Sequence, residues 1–191
     1  MRRAIKGFVV VAAAALISAP AQARAEGYIS PWVAANSGTG FDNGRAGFGL
    51  NAGAMGAGVF GAELDFGYSP SFFGTQNEFG NNSVIDVMGN LILGVPVGGT
   101  HGAGIRPYVT AGLGLLRTQI DGGTIAQVSS SNNDLGWNAG AGVMGYFSDH
   151  VGLRGDIRYL RNIENNSSST NLDFDPGNFH FWRASIGVVI R

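Results

Sequence analysis

One ten-residue stretch, Arg154–Ile163 (RGDIRYLRNI), constrains the fold more than any other part of the chain. If it is a β-strand, its side chains alternate between two faces. One face carries the charged residues Arg154, Asp156 and Arg158, and the other carries Leu153, Ile157 and Tyr159. The polar face is small and charge-paired, and the same alternation recurs along the chain. The simplest closed solution is an inside-out barrel, with its apolar face toward lipid and its charged face toward a narrow lumen.

The N-terminus has the pattern of an export signal. Arg2, Arg3 and Lys6 precede an apolar run at residues 8–17, which is too short to span a bilayer as a helix. Small residues follow, so we expect signal cleavage after Ala25, or alternatively after Ala23. This predicts a signal peptide over residues 1–25 and one domain over residues 26–191. The alternative is a short buried helix.

Composition excludes several classes of function. Of the 12 basic residues, four lie in the expected signal, which leaves eight arginines against 13 acids, a net charge of −5. Nucleic-acid binding would need a cationic patch, so no nucleic-acid partner is expected. Cysteine is absent, and the three histidines, His101, His150 and His180, are scattered. We therefore predict no metal site and no cofactor.

Alternating segments predict eight strands and an all-β fold. The segments are residues 28–35, 45–55, 59–69, 83–95, 106–120, 135–147, the charged strand ending at 163, and 179–190. Connections after the second, fourth and sixth segments are short, whereas residues 36–44, 70–82, 121–133 and 165–177 form longer polar loops. This pattern is typical of an antiparallel up-and-down transmembrane β-barrel with short periplasmic turns and long external loops. The 32 glycines indicate interior positions with little room for side chains.

Aromatic residues predict two girdles at the membrane interfaces. We expect Tyr28, Trp32, Phe60, Tyr108 and Phe147 at the periplasmic ends of the strands, and Phe66, Tyr68, Trp137, Tyr159 and Trp182 at the external ends. A soluble lipocalin-like barrel is the alternative, but its aromatic residues would face inward and its charges outward.

Inward charges are the best candidate site. We expect the acids Glu63, Asp65, Asp86 and Asp156 to meet Arg154, Arg158 and Arg183 in the lumen. Charge buried in so narrow a barrel has to be paired. We therefore favour a salt-bridged plug over an ion pathway.

Three segments carry a resemblance to a known family: Arg106–Leu115 (RPYVTAGLGL), Gly136–Val143 (GWNAGAGV) and Leu153–Leu160 (LRGDIRYL). Together they resemble the small outer-membrane β-barrels that include the OmpA transmembrane domain and the opacity-type surface proteins. The resemblance implies a location in the outer membrane of a Gram-negative bacterium. It also implies outer-membrane lipid and the insertion machinery as partners. Members usually end in an aromatic residue that this machinery recognises, whereas this chain ends at Arg191.

The expected function is that of a non-enzymatic, monomeric barrel. It would support the cell envelope, or contact an external ligand or host surface through its loops, and it would have no catalytic residues. One alternative is a narrow porin-like channel, suggested by lumen glycines such as Gly112 and Gly140. The other is an enzyme that modifies lipid A, with His180 beside Ser185 or Asp173.

Overall fold

The computed structural model describes residues 25–38, 44–72, 81–98, 102–121, 129–163 and 180–191. These residues form eight strands: β1 Ala25–Gly38, β2 Arg45–Gly56, β3 Phe60–Pro70, β4 Asn81–Gly94, β5 Gly104–Asp121, β6 Ser129–Tyr146, β7 Val151–Asn162 and β8 His180–Ile190. Each strand pairs antiparallel with its neighbours in sequence, and β8 pairs with β1, so the sheet closes into a barrel. The predicted eight-stranded up-and-down barrel is confirmed.

The register of the strands determines how narrow the barrel is. One circuit of paired residues runs from Tyr28 through Gly53, Glu63, Asn90, Gly112, Asn138, Leu160 and Phe181 to Gly38. The circuit returns to β1 ten residues beyond its start, at position 38 rather than 28, so the strands are strongly tilted. A closed barrel of eight strands has an interior that side chains alone can fill.

Where the structure describes side chains, they alternate along the strands as a lipid-facing barrel requires. Most large apolar residues face outward and are exposed, among them Phe60, Leu91 and Ile157, whereas Glu63, Asp65 and Arg158 face inward and are buried. This sidedness is opposite to that of a soluble lipocalin-like barrel. The described part of the chain contains no helix that is long and apolar enough to cross a membrane.

Several strand boundaries were wrong: β1 extends three residues beyond the predicted 28–35 at each end, and the largest difference lies between β5 and β6. Residues 121–133 were predicted as a loop, but β5 continues to Asp121 and β6 begins at Ser129. This part of β6 is polar (SSSNND) and has weak intrinsic strand preference. Its pairing with β5, from Ser129 opposite Asp121 onward, overrides that preference.

The two ends of the barrel differ in their connections. At one end, here called the short-turn end, residues 57–59 join β2 to β3, residues 147–150 join β6 to β7, and residues 95–103 join β4 to β5. The turn at 57–59 has positive φ at Ala57 and Gly58, and a Cβ on Gly58 would lie 2.8 Å from Arg106 Nη2. The opposite end is called the long-connection end. Most of its predicted loops, and residues 1–24 of the predicted signal peptide, lie outside the described residues.

Candidate functional site in the barrel lumen

The centre of the lumen holds a buried cluster of ions from β3 and β7. Arg154 forms a bidentate salt bridge with Glu63 and a second salt bridge with Asp156 (3.0 Å). Arg158 contacts three carboxylates, namely Glu63 at 2.8 Å, Asp156 at 2.9 Å and Asp65 at 3.1 Å. Because β3 and β7 are not neighbours in the sheet, these contacts cross the lumen. Charge-assisted contacts of this kind are the stronger hydrogen bonds in proteins.

A second cluster continues the first toward the long-connection end. Arg183 on β8 forms salt bridges with Asp65 and with Asp86 on β4, the latter at 2.8 Å. Asp65 also accepts a hydrogen bond from Arg158, so it joins the two clusters into one network. The structure therefore brings all seven predicted lumen charges together across β3, β4, β7 and β8.

Three residues predicted for the periplasmic aromatic girdle lie inside the barrel instead, which corrects that prediction. Tyr28, Trp32 and Tyr108 are only 4, 5 and 4% exposed. Their polar atoms explain the placement, since a buried O–H or N–H needs a partner. Tyr28 donates to Glu63 (2.6 Å), Tyr108 donates to Asp156 (2.8 Å), and Trp32 Nε1 donates to Asn51.

The other seven predicted girdle residues do not lie in the lumen. Phe60 (72% exposed) and Phe147 lie near the short-turn end, and Phe66, Tyr68, Trp137, Tyr159 and Trp182 lie nearer the long-connection end. Tyr159 is in ring contact with Trp137 (5.6 Å) and Trp182 (5.1 Å). The aromatic belt is therefore denser at the long-connection end.

A third charged cluster lies at the short-turn end and was not predicted. Glu26 on β1 accepts hydrogen bonds from Arg106 (2.9 Å) and Arg191 (3.2 Å). Both guanidinium groups also lie over the ring of Tyr146. Arg106 and Tyr108 are two residues apart on β5 and share its inward face, so the side-chain alternation of the strand could have predicted that Arg106 faces the lumen. Its pairing with Glu26, 80 residues away, has no local signal.

Apolar layers cover the charged network on both sides. Toward the short-turn end lies a buried cluster of Tyr28, Met55, Ile92, Tyr108, Met144, Tyr146 and Val189. Toward the long-connection end lies another, made of Phe72, Val84, Met88, Leu116, Leu160 and Phe181. A path along the barrel axis would therefore meet the Glu26–Arg106–Arg191 cluster with the first apolar layer, then the central ions, and then the second apolar layer.

Lumen glycines make room for large neighbouring side chains. A Cβ on Gly140 would lie 2.8 Å from Arg158 Cγ, and one on Gly142 would lie 2.5 Å from both Tyr108 Oη and Asp156 Cβ. A Cβ on Gly112 would collide with Asn90. At these positions neighbouring side chains occupy the space that each glycine leaves.

The arrangement offers little for catalysis or metal binding. The Ser185 hydroxyl donates to Asp156 inside the lumen (2.8 Å), whereas His180 packs against the outward ring of Tyr159. His180 and Ser185, the pair considered for a lipid A-modifying enzyme, therefore lie on opposite faces of the sheet. Asp173 lies outside the described residues. Within the described ranges, no group of three or more acidic or histidine side chains is arranged to hold a metal ion.

Comparison with solved structures identifies similar folds. The Neisserial surface protein A superposes with a TM-score of 0.62 at 17% identity, covering 87% of this chain and 97% of that one. The N-terminal β-barrel domain of Pseudomonas aeruginosa OprF gives 0.53 at 15% identity (87 and 98% covered). Ail, the attachment invasion locus protein of Yersinia pestis, gives 0.54 at 14% identity (87 and 96% covered) in its complex with the heparin analogue sucrose octasulfate.

Sequence comparison identifies the family. No curated protein sequence matches this chain. Residues 9–188 match the family described as the outer membrane protein beta-barrel domain, and this range covers nearly the whole chain. The closed barrel of eight antiparallel strands with an apolar outer face agrees with that match. The chain belongs to the outer membrane protein β-barrel family, whose members are found in the bacterial outer membrane.

Proposed function

We propose that this protein is a non-enzymatic outer-membrane barrel with a closed lumen. It supports the envelope or contacts external partners through the connections at the long-connection end. In this proposal residues 1–25 are removed on export, and the mature domain begins at residue 26. The short-turn end faces the periplasm, and the barrel is a monomer.

The observation that carries the proposal is the set of buried ion pairs in the lumen. Five carboxylates (Glu26, Glu63, Asp65, Asp86 and Asp156) form salt bridges with five guanidinium groups (Arg106, Arg154, Arg158, Arg183 and Arg191). A permeating ion would have to separate buried pairs, and stranding one partner of such a pair costs about 3–5 kcal/mol. It would also have to cross two apolar layers. The lumen is therefore suited to holding strands together rather than to conducting.

The two alternatives receive less support. A channel would need the lumen glycines to leave open space, but Asn90, Tyr108 and Arg158 fill that space. A lipid-modifying enzyme would need His180 and Ser185 on the same face. Two of the similar folds are described as a surface protein and an attachment protein, which fits display of the loops. At their low sequence identity the likeness concerns the fold, so the proposal rests on the lumen.

Single-channel recording tests the closed lumen. We expect the refolded protein to give no stable conductance steps in a planar bilayer. Arg158→Ala removes the group that binds three carboxylates, and we expect steps to appear in this variant. The outward-facing Arg117→Ala is the matched control and should stay silent. Stable steps in the unmodified protein would refute the closed lumen in favour of a pore.

Cysteine labelling tests the orientation. The chain has no cysteine, so each introduced thiol is unique. We expect a membrane-impermeant maleimide to label Ser168→Cys, in the connection between β7 and β8, on intact cells. Ala103→Cys, at an exposed position of the short-turn end, should react only after the outer membrane is disrupted. The reverse pattern would place the long-connection end in the periplasm and rule out surface display.

A further inference from the structure

Among the side chains that the structure describes, ionisable groups lie on the outer face of the strands at one end of the barrel. Three acidic or basic side chains face outward from the strands, counting only the side chains that the structure describes: Arg117 on β5, Arg161 on β7 and His180 on β8. All three are basic residues, and all belong to the long-connection end. The outward face toward the short-turn end is apolar, with residues such as Phe60, Leu91 and Val109.

Register places the three basic residues at nearly one height. The circuit around the barrel shifts by ten residues over eight strands, which is about 1.25 residues per strand along the axis. We follow the paired residues from Arg117 on β5 to β7 and β8 and subtract this shift at each strand. The positions reached at the height of Arg117 lie within about two residues of Arg161 and of His180. They therefore form a row around one side of the rim.

A group of outward-facing aromatic residues lies next to this row, on the side toward the middle of the barrel. Trp137, Tyr159 and Trp182 are in ring contact with one another through Tyr159, and His180 packs on the same tyrosine at 5.7 Å. Arg161 pairs with Trp137 and with His180 across the strands. Tryptophan and tyrosine prefer the headgroup level of a bilayer. Basic side chains just beyond them are placed at the level of lipid phosphates.

We propose that this rim patch, made of Arg117, Arg161, His180, Trp137, Tyr159 and Trp182, binds the phosphate-bearing headgroup of a lipid in the surrounding leaflet. Guanidinium groups match phosphate oxygens in charge and in fork geometry. The aromatic rings below pack against the upper acyl chain and glycerol region. The patch continues into the apolar band of the barrel, as a surface for an amphipathic lipid must.

Charge complementarity favours a lipid over a second copy of the chain. In a two-fold symmetric dimer the same patch would face itself, which would bring like charges together. The inference rests on one part of the proposed function, namely that the strands are embedded in a bilayer. It does not depend on which end faces the cell exterior.

Tryptophan quenching by brominated lipid tests the proposal. The refolded protein is placed in phosphatidylcholine vesicles that contain a small fraction of phosphatidic acid with brominated acyl chains. A parallel series contains brominated phosphatidylcholine. Trp137 and Trp182 belong to the patch, so the ratio of quenching in the two series reports the relative affinity for the phosphate monoester. We expect a preference of severalfold for phosphatidic acid.

Matched variants assign the preference to the patch. A basic residue near a membrane surface contributes about 1 kcal/mol, which corresponds to about fivefold in affinity. Arg117→Gln and Arg161→Gln should each lower the ratio by up to that factor, and together they should bring it close to one. Gln119→Ala, on the same face of β5 as Arg117, should leave the ratio unchanged. Arg117→Lys with Arg161→Lys keeps the charge and should retain most of the preference.

Three results would overturn the proposal. The first is a ratio of one in the unmodified protein. The second is loss of the preference when inorganic phosphate is added at constant ionic strength, which would indicate a site for a free anion. The third is a dimer in the vesicles that Arg117→Gln with Arg161→Gln dissolves, which would assign the patch to a second copy. Conductance steps in the unmodified protein would refute the closed lumen while leaving the lipid preference intact, so the two failures are distinguishable.

Discussion

Replacing Arg158 by methionine tests the role of the lumen network in stability. The guanidinium group of Arg158 is 1% exposed and forms salt bridges with Glu63, Asp65 and Asp156. Methionine keeps an unbranched apolar chain in the same place, so the main loss is the charge and its hydrogen bonds. Four carboxylates, those three and Asp86, then share the two remaining arginines of the central network, Arg154 and Arg183.

The expected cost follows from burial. Removing one partner of a buried ion pair destabilises a protein by about 3–5 kcal/mol, because an uncompensated charge remains. Arg117→Met removes an exposed arginine from the outer face and should cost about 1 kcal/mol or less. Adding Asp65→Asn to Arg158→Met removes one of the stranded carboxylates. We expect this double variant to show a coupling of about 0.5–3 kcal/mol relative to the sum of the single changes.

Equilibrium unfolding in urea from phospholipid vesicles measures these differences. Tryptophan fluorescence reports the transition, and the change in midpoint multiplied by the slope gives the difference in free energy of unfolding. If Arg158→Met costs no more than Arg117→Met, the network does not hold the strands together. The lumen would then be stabilised by its apolar layers alone.

Two further predictions concern packing and sidedness. Gly140→Ala should destabilise the barrel by about 1–3 kcal/mol, because its Cβ would meet Arg158 and the backbone, whereas Gly145→Ala on the same strand meets nothing within 4 Å and should be neutral; urea unfolding compares the two. A variant that retains Trp32 as its only tryptophan should resist quenching by brominated phosphatidylcholine, whereas one that retains only Trp182 should be quenched strongly. Equal quenching of both would contradict the inward placement of Trp32.

Strand number, alternation and the inward charges could be predicted from local patterns. Glu63 and Asp65 alternate with Leu64 and Phe66, so a side-chain period of two assigns both faces of β3 without any tertiary information. The same holds for β7. Closure and antiparallel order then follow from the even number of segments and the alternation of connection lengths.

Pairing across the lumen could not be predicted in this way. The shear of the barrel decides that Arg183 meets Asp86, 97 residues away, and shear is a property of all eight registers together. The predicted positions of Tyr28 and Trp32 at the membrane interface were wrong, because aromatic content alone does not distinguish that interface from the lumen. Both are amphipathic, and inside the lumen each has a polar partner that lipid could not supply.

The lumen is the part of this barrel best able to specify its register. The outer face is largely Ala, Val, Leu and Ile, so a slip of two residues would exchange one apolar side chain for another. Inside, the same slip of β7 would move Arg158 to the level of Leu160 and separate it from Asp65 and Glu63. It would also press side chains against positions such as Gly140, where a Cβ already has no room. Paired charges and the glycines opposite large side chains therefore penalise every register but one, which lipid contacts alone would not do.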